Sequence, residues 1–365
     1  MNITFLIDNL NAGGAQRQIC YLANLLQKNS DSVTLVTYRG NNFFLKELKK
    51  NKINYVSLKS NSKFLRILKI IKFLKFSKHD IVISYLRNPS LIAEISGFFG
   101  RNWKLIVSER NNHIKLNFFD KFVRRFFHLF ADHLIVNSKT NLNEIKKNAP
   151  WLKKISLIHN YTDLNFFRPN NYIKKKEKEN LNLIGVGKYS HQKNIINLLK
   201  AIHILKNQVP NIKLECNWYG DNFFQYKKNP YLKNIKLLIK KFGLKKIFYI
   251  HPATKNILNK YHNSSALILP SLYEGFPNVG CEAIACGLPI LISNVSDNKI
   301  LVKNSNGYLF DPNSPTDIAK KILSFYKLSQ KDKKNMSLNS RKNAEILFNK
   351  YKYTKKHLRV INSIE

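Results

Sequence analysis

The stretch Leu269-Pro-Ser-Leu-Tyr-Glu274-Gly-Phe-Pro-Asn-Val-Gly-Cys-Glu282-Ala-Ile-Ala-Cys-Gly287-Leu-Pro289 decides how the rest of the chain is read. The apolar run that leads into it, Ala266–Pro270, predicts a buried strand feeding a loop that carries Glu274. A short helix then opens near Pro277 and stops at Gly287, with proline at its start and glycine just past its end. Asn278 and Glu282 stand four apart and share one face of that helix, while Glu274 precedes its unpaired N–H groups. Two acids therefore flank a helix N-terminus, which favours an anion. The set suits a nucleotide-sugar: amides for the diphosphate, one carboxylate accepting from vicinal ribose hydroxyls, the other gripping sugar hydroxyls near the reacting carbon. The plainer reading is a solvent-facing pair of glutamates on an ordinary helix.

Upstream, the apolar run Leu181–Val186 ends in Gly187-Lys188-Tyr-Ser-His-Gln-Lys193-Asn194, followed by a helical pattern over Ile195–Asn207. Lysines at the carboxyl end of a strand and the start of a helix are placed to converge on a diphosphate, where open α/β sheets take their ligands. Gly185-Val-Gly187 is not a dinucleotide fingerprint, since Ser190 stands where the last glycine belongs. The chain also contains no Asp-x-Asp. Charge stabilisation by Lys188, Lys193 and helix amides is thus expected in place of a metal.

Short Ile/Val-rich runs alternate with longer amphipathic stretches through the whole chain, the pattern of parallel sheets covered by helices. In the first half they fall at Ile3–Ile7, Val33–Thr37, Asn54–Ser57, Ile81–Ser84, Lys104–Ser108 and His133–Asn137. A second series follows at Leu181–Val186, Ile212–Tyr219, Ile247–Ile250, Ala266–Pro270 and Pro289–Ser293. The polar stretch from Arg168 to Asn180 reads as a linker. The expected organisation is α/β, two Rossmann-like domains over residues 1–170 and 171–345, with a terminal helix over 346–365 packing back on the first. After the first strand, Gly13-Gly14 lets backbone N–H groups approach a phosphate or sugar.

The composition sets limits. At 365 residues with 44% apolar side chains the chain forms ample core, and 62 Lys+Arg against 22 Asp+Glu give a net charge of +40, which draws it to anionic surfaces. The four cysteines form no C-x-x-C pair, so neither a zinc site nor a disulfide framework is expected. The first residues lack the pattern of an export signal and no apolar run is long enough to span a bilayer. Lys63–Lys78 and Phe118–Phe130 mix basic and apolar side chains in a way that suits a membrane interface, or else helices covering a sheet with a charged outer side.

Taken together, Glu274 and Glu282 with seven residues between them, Gly13-Gly14-Ala-Gln-Arg17, Gly187–Asn194 and Asn306-Gly307-Tyr-Leu-Phe310 resemble the retaining, GT-B-fold glycosyltransferases of family 4. That resemblance runs over nearly the whole chain, most strongly from about 183 to 312. It implies two domains facing each other across a cleft. It also implies that Glu282 holds the ribose, Glu274 the donor sugar, Lys188 and Lys193 the diphosphate, and Gly14 the phosphate or anomeric region, with backbone amides from Phe276 to Val279 including Asn278. His113, in a loop where the family often has His or Glu, is then a candidate contact to the sugar or acceptor. Lys188 departs from the family's more usual Arg, which turns a bidentate fork into a point charge. Asn294-Val-Ser-Asp-Asn298 lacks the Gly-Gly pair many members have there.

The expected activity is transfer of a hexose or N-acetylhexosamine from a nucleotide diphosphate, UDP foremost, to a lipid-linked or surface polysaccharide such as capsule or O-antigen. The expected route is a front-face displacement with no metal and no cofactor. The setting expected is cytoplasmic, peripheral on the inner face of the cell membrane, held by its anionic surface. The alternatives are a GT-B-fold epimerase or a silent sugar-nucleotide binder. A nucleic-acid-binding protein, suggested by the pI near 10, is disfavoured because no base-reading motif accompanies the charge.

Overall fold

A computed structural model describes residues 1–40, 43–98, 100–110, 122, 125–170, 180–220 and 229–365. The chain forms two compact units, Met1–Tyr161 with Lys350–Glu365, and Thr162–Asn349.

The first unit begins β1 (Asn2–Leu6), α1 (Gly14–Leu26), β2 (Ser32–Thr37), α2 (Leu45–Lys50) and β3 (Asn54–Ser57). It continues through α3 (Lys63–Phe76), β4 (Ile81–Tyr85), α4 (Arg87–Phe98), β5 (Lys104–Glu109), β6 (His133–Val136), α5 (Lys139–Asn148) and β7 (Ile155–Leu157). The strands make one parallel sheet in the order β3-β2-β1-β4-β5-β6-β7. β4 is buried along its whole length, as expected of a central parallel strand covered on both faces, which is why its sequence is apolar but for Ser84, whose hydroxyl bonds that of Ser90. Right-handed crossovers put α1 and α2 on one face of the sheet and α3, α4 and α5 on the other. On the latter, Ile70 and Leu74 of α3 pack with Ile92, Ala93, Trp103, Leu105 and Ile145.

The second unit holds β8 (Leu181–Val186), α6 (Ile195–Gln208), β9 (Leu214–Tyr219), α7 (Pro230–Lys241), β10 (Phe248–His251), α8 (Ile257–His262) and β11 (Ala266–Leu269). It closes with α9 (Asn278–Ala285), β12 (Ile290–Ser293), β13 (Gly307–Phe310), α10 (Pro315–Tyr326) and α11 (Gln330–Leu347). Its parallel order is β10-β9-β8-β11-β12-β13. Both sheets thus reverse direction beside their first strand, at β1/β4 and at β8/β11, and such switch points are where doubly wound sheets open a ligand crevice.

Two boundaries differ from those read in the sequence. Residues 162–170 belong to the second unit because Phe167 is buried there against the ring of Tyr261 and Arg341 donates to the Phe167 carbonyl at 3.1 Å. The helical pattern from Gln330 onward is broken after Leu347, and α12 (Lys350–Asn362) belongs with the first unit, where Tyr353 stacks on Tyr161 at 5.1 Å. Of the polar linker, residues 171–179 lie outside the described residues. Among the described residues no helix is long and apolar enough to cross a membrane. All four cysteines are free and buried.

Candidate active site

The switch point of the second unit is built by two loops, one leaving β8 and one leaving β11. The β8 loop turns at Gly187, whose φ of +154° suits glycine and whose bare Cα leaves room for the Lys193 stem, the nearest atoms to a hypothetical Cβ. From beneath, the Trp218 indole donates to the Gly187 carbonyl at 2.8 Å. Gly220, at the end of β9, backs so closely on that same carbonyl that a methyl there would lie 2.0 Å from it.

The β8 loop is then stapled to the β11 loop. Gln192 donates its side-chain amide to the Tyr273 carbonyl at 2.9 Å and accepts the Leu272 N–H at 2.9 Å. Asn194, buried and left-handed at φ 54°, donates to the carbonyls of Pro270 at 3.0 Å and Pro312 at 2.7 Å. One side chain therefore ties three segments. Asn194→Ala would take the side-chain donor from the buried Pro270 carbonyl, leave the Pro312 carbonyl with Asn197 alone at 3.0 Å, and place a Cβ residue with no local hydrogen bonds in a left-handed conformation. We expect about 3 kcal/mol of destabilisation, read as a fall in Tm, together with weaker nucleotide binding; a variant as stable as the parent would contradict the clamp.

What the staples position is an ion pair. Lys193 Nζ donates to Glu274 Oε1 at 2.5 Å, with Glu274 only 7% exposed. Eight residues on, Glu282 lies buried in α9 and accepts from the Tyr261 hydroxyl of α8 at 3.0 Å. Between the two acids, Pro277 caps α9 without a side-chain hydrogen bond and no acid occupies its first turn. The Gly280 and Cys281 amides turn back to the Pro277 carbonyl, which fixes the direction of the first turn. Asn278 and Val279 are half-buried, Phe276 is buried, and Lys188 stands exposed in the β8 loop with no ion pair to any described residue. Burial and then Glu282 push the Cys281 thiol up, and the Cys286 thiol likewise, so neither is a nucleophile.

Of the residues singled out in the sequence, the structure brings Lys193 and Glu274 into contact and sets Asn278, Val279 and Glu282 on one helix. Gly14 opens α1 in the first unit, where Gly13 makes room for the Gln16 amide and Asn9 Oδ1 caps the turn from the Asn11 N–H at 2.9 Å. His113 lies outside the described residues. Gln192, Asn194 and Tyr261 belong to the site although the sequence does not mark them, since polar residues in an Asn- and Tyr-rich chain carry no spacing signal of their own.

The segment lacking the Gly-Gly pair also acquires a structural meaning. Ser296, at a left-handed φ of 49°, donates its hydroxyl to the Gly275 carbonyl at 3.1 Å, so a serine here fastens the loop that carries Glu274.

Two parallel doubly wound units of this order are those of the GT-B glycosyltransferases. HepE of Anabaena, solved with UDP-glucose, superposes on all of this chain with a TM-score of 0.85 at 18% identity, all of that chain being covered. The model of "Glycosyl transferases group 1" matches residues 168–343, and that of "Glycosyltransferase Family 4" matches residues 12–166. The chain belongs to glycosyltransferase family 4. It is 29% identical over 337 residues, 88% of each chain, to the Campylobacter jejuni GalNAc-α-(1→4)-GalNAc-α-(1→3)-diNAcBac-PP-undecaprenol α-1,4-N-acetyl-D-galactosaminyltransferase. A second enzyme of that organism, N-acetylgalactosamine-N,N'-diacetylbacillosaminyl-diphospho-undecaprenol 4-α-N-acetylgalactosaminyltransferase, is 24% identical over 230 residues, 59% of this chain and 58% of that one.

Proposed function

We propose that this glycosyltransferase takes its sugar from a UDP-sugar and hands it, with retention at the anomeric carbon, to a lipid-linked glycan acceptor at the inner face of the cell membrane. The observation that carries the donor half is the Lys193–Glu274 pair at the β8/β11 switch point, immediately ahead of the uncapped N-terminus of α9. The lipid-linked half is supported by the relatives, two of which are named for undecaprenol diphosphate acceptors.

In this reading the diphosphate lies against the amides from Phe276 to Val279, with Lys188 and Lys193 offsetting the charge that grows as it leaves. Glu282, held by Tyr261, accepts from the ribose hydroxyls. Glu274 hydrogen-bonds the donor sugar, and its contact with Lys193 holds both side chains in place before the donor arrives. The family resemblance assigns Gly14 a role at the phosphate or anomeric region and His113 one towards the sugar or acceptor. The bond from the anomeric carbon to the diphosphate oxygen breaks while the acceptor hydroxyl adds from the same side. The departing diphosphate takes the acceptor proton, so no enzyme base is needed, and same-side addition needs no enzyme nucleophile.

A UDP-release screen over nucleotide-sugars with a polyprenyl diphosphate-linked sugar as acceptor tests it: release only when donor and acceptor are both present supports transfer. An altered free nucleotide-sugar without acceptor would mark an epimerase, and donor binding without release a silent binder. Glu282→Ala is expected to raise the donor Kd about 10- to 100-fold, the loss of one or two charge-assisted hydrogen bonds, with kcat at saturation much less affected. A kcat collapse at unchanged Kd would move Glu282 from binding to chemistry.

A further inference from the structure

In the β8 loop an exposed lysine stands directly before a buried tyrosine. Lys188 is exposed, whereas Tyr189 is 1% exposed and belongs to the same apolar cluster as Trp218, Leu232 and Phe248. Burying a tyrosine where a phenylalanine would fill the same space is unfavourable unless the hydroxyl finds partners. Here it finds three. For its one proton the Tyr189 hydroxyl has the His251 carbonyl at 2.5 Å and the Trp218 carbonyl at 3.0 Å as acceptors, and it accepts from the His251 N–H at 3.1 Å. Trp218 and His251 stand at the carboxyl ends of β9 and β10, where Tyr219 pairs with His251. One hydroxyl therefore pins the loop to two neighbouring strands at the same corner.

The main chain is held on both sides of Lys188. After it, the Tyr189 carbonyl accepts from Asn229 Nδ2 at 2.6 Å, and Asn229 Oδ1 in turn accepts the Tyr231 N–H at 3.0 Å as the N-cap of α7. Before it, the Gly187 N–H donates to the Tyr219 carbonyl at 2.9 Å, and the Gly187 carbonyl is the acceptor of the Trp218 indole. A lysine on a backbone free to swing would have to be ordered by each ligand that it meets, at a cost in conformational entropy. On a fixed backbone its ammonium is confined to the arc that its own rotamers allow.

We propose that Tyr189 is a positioning residue for the transfer reaction: anchored at the β9–β10 corner, it fixes the backbone of Lys188 so that the ammonium meets the diphosphate without a search. The proposal deepens, and rests on, the reading of Lys188 as a diphosphate contact. Tyr189 itself touches neither donor nor acceptor and acts through the lysine beside it. Its hydroxyl, not its ring, is the working part, because a phenylalanine would fill the core equally well and leave the β9–β10 corner untied.

Calorimetric titration of the purified full chain with UDP and with UMP tests this. Tyr189→Phe keeps the packing and removes the hydroxyl. It is expected to raise the UDP Kd about five- to tenfold, the scale of one hydrogen bond, while the UMP Kd changes by less than about twofold. Lys188→Gln should raise the UDP Kd at least as much. The double variant Tyr189→Phe/Lys188→Gln should bind UDP no more weakly than Lys188→Gln alone, since a tyrosine that acts through the lysine then has nothing left to position. Asn229→Ser keeps a capping oxygen for α7 and removes the amide that holds the Tyr189 carbonyl. It should show the same UDP-selective loss, and it carries the test if Tyr189→Phe does not fold. Equal losses for UDP and UMP, or losses that multiply in the double variant, would overturn the proposal. Weakened UDP binding in Lys188→Gln beside parental binding in Tyr189→Phe removes the positioning role alone. Parental binding in Lys188→Gln, or no UDP binding by the parent, removes the donor reading of Lys188 and the proposal with it.

Discussion

Glu274→Ala is expected to lower transfer about a thousandfold, with the fold intact and UDP still bound. The basis is the geometry of one carboxylate. Glu274 is buried, is delivered by the loop leaving β11, and meets Lys193 at 2.5 Å. Removing it deletes the group assigned to the donor sugar and releases Lys193, whose charge opposes that of the departing diphosphate, so two contributions that strengthen in the transition state are lost together. Glu274→Gln keeps the size and the hydrogen-bonding carbonyl but not the charge. It should retain part of the activity, which separates loss of the ion pair from loss of shape. Single-turnover rates at saturating donor are the deciding measurement: a Glu274→Ala enzyme with parental kcat would remove Glu274 from the chemistry.

His128→Ala is expected to be the most destabilising single change in the first unit, at about 3–5 kcal/mol. His128 Nδ1 meets Glu94 of α4 at 2.5 Å, and Nε2 meets Glu109 at the end of β5 at 2.8 Å, all three side chains being almost wholly buried. Burial on its own would lower the imidazole pKa. The charge of Glu94 and the hydrogen bonds the ring donates to both glutamates more than reverse this and raise it to about 9. An imidazolium donating from both nitrogens satisfies two buried carboxylates at once. Because the folded-state value lies above the unfolded 6.5, the stabilisation is fully present below about pH 6.5 and is lost as pH rises through about 9. The gap in Tm between the parent and His128→Gln should therefore be widest near neutral pH or below and shrink towards pH 10. A gap that stays constant over that range would show that His128 is neutral in the folded protein.

The sequence exposed the parts of this molecule that repeat a simple physical pattern. β11 is buried on both faces and so is written as a continuous apolar run, and β8 nearly so, with Asn182 half-buried. The start of α9 was marked by a proline and its end by a glycine. The fold followed from those runs, and the second unit's site from acids and lysines at strand ends. β7 and β13 are not legible as strands because three or four residues, all half-buried but Phe310, do not stand out from a loop, although Asn306–Phe310 is a recognisable motif. Tyr261 and the buried triad escaped for another reason. Tyr261 reaches Glu282 across 21 residues, and His128 reaches Glu109 and Glu94 across 19 and 34; such pairings have no local signature. The aromatic and basic side chains around His128 dominate the local pattern and hide it.

The contact between Gly220 and the Gly187 carbonyl has a thermodynamic consequence. With Trp218 bonded to the same oxygen, the turn that leads to Lys188 and Lys193 is propped from below before any ligand arrives. Ordering a mobile backbone costs roughly 1–2 kcal/mol per residue, and a turn already cast in its final form avoids that loss on association. Nucleotide capture by this unit should therefore show a small entropic penalty and a rate limited by encounter, with the slow steps left to the sugar and the acceptor.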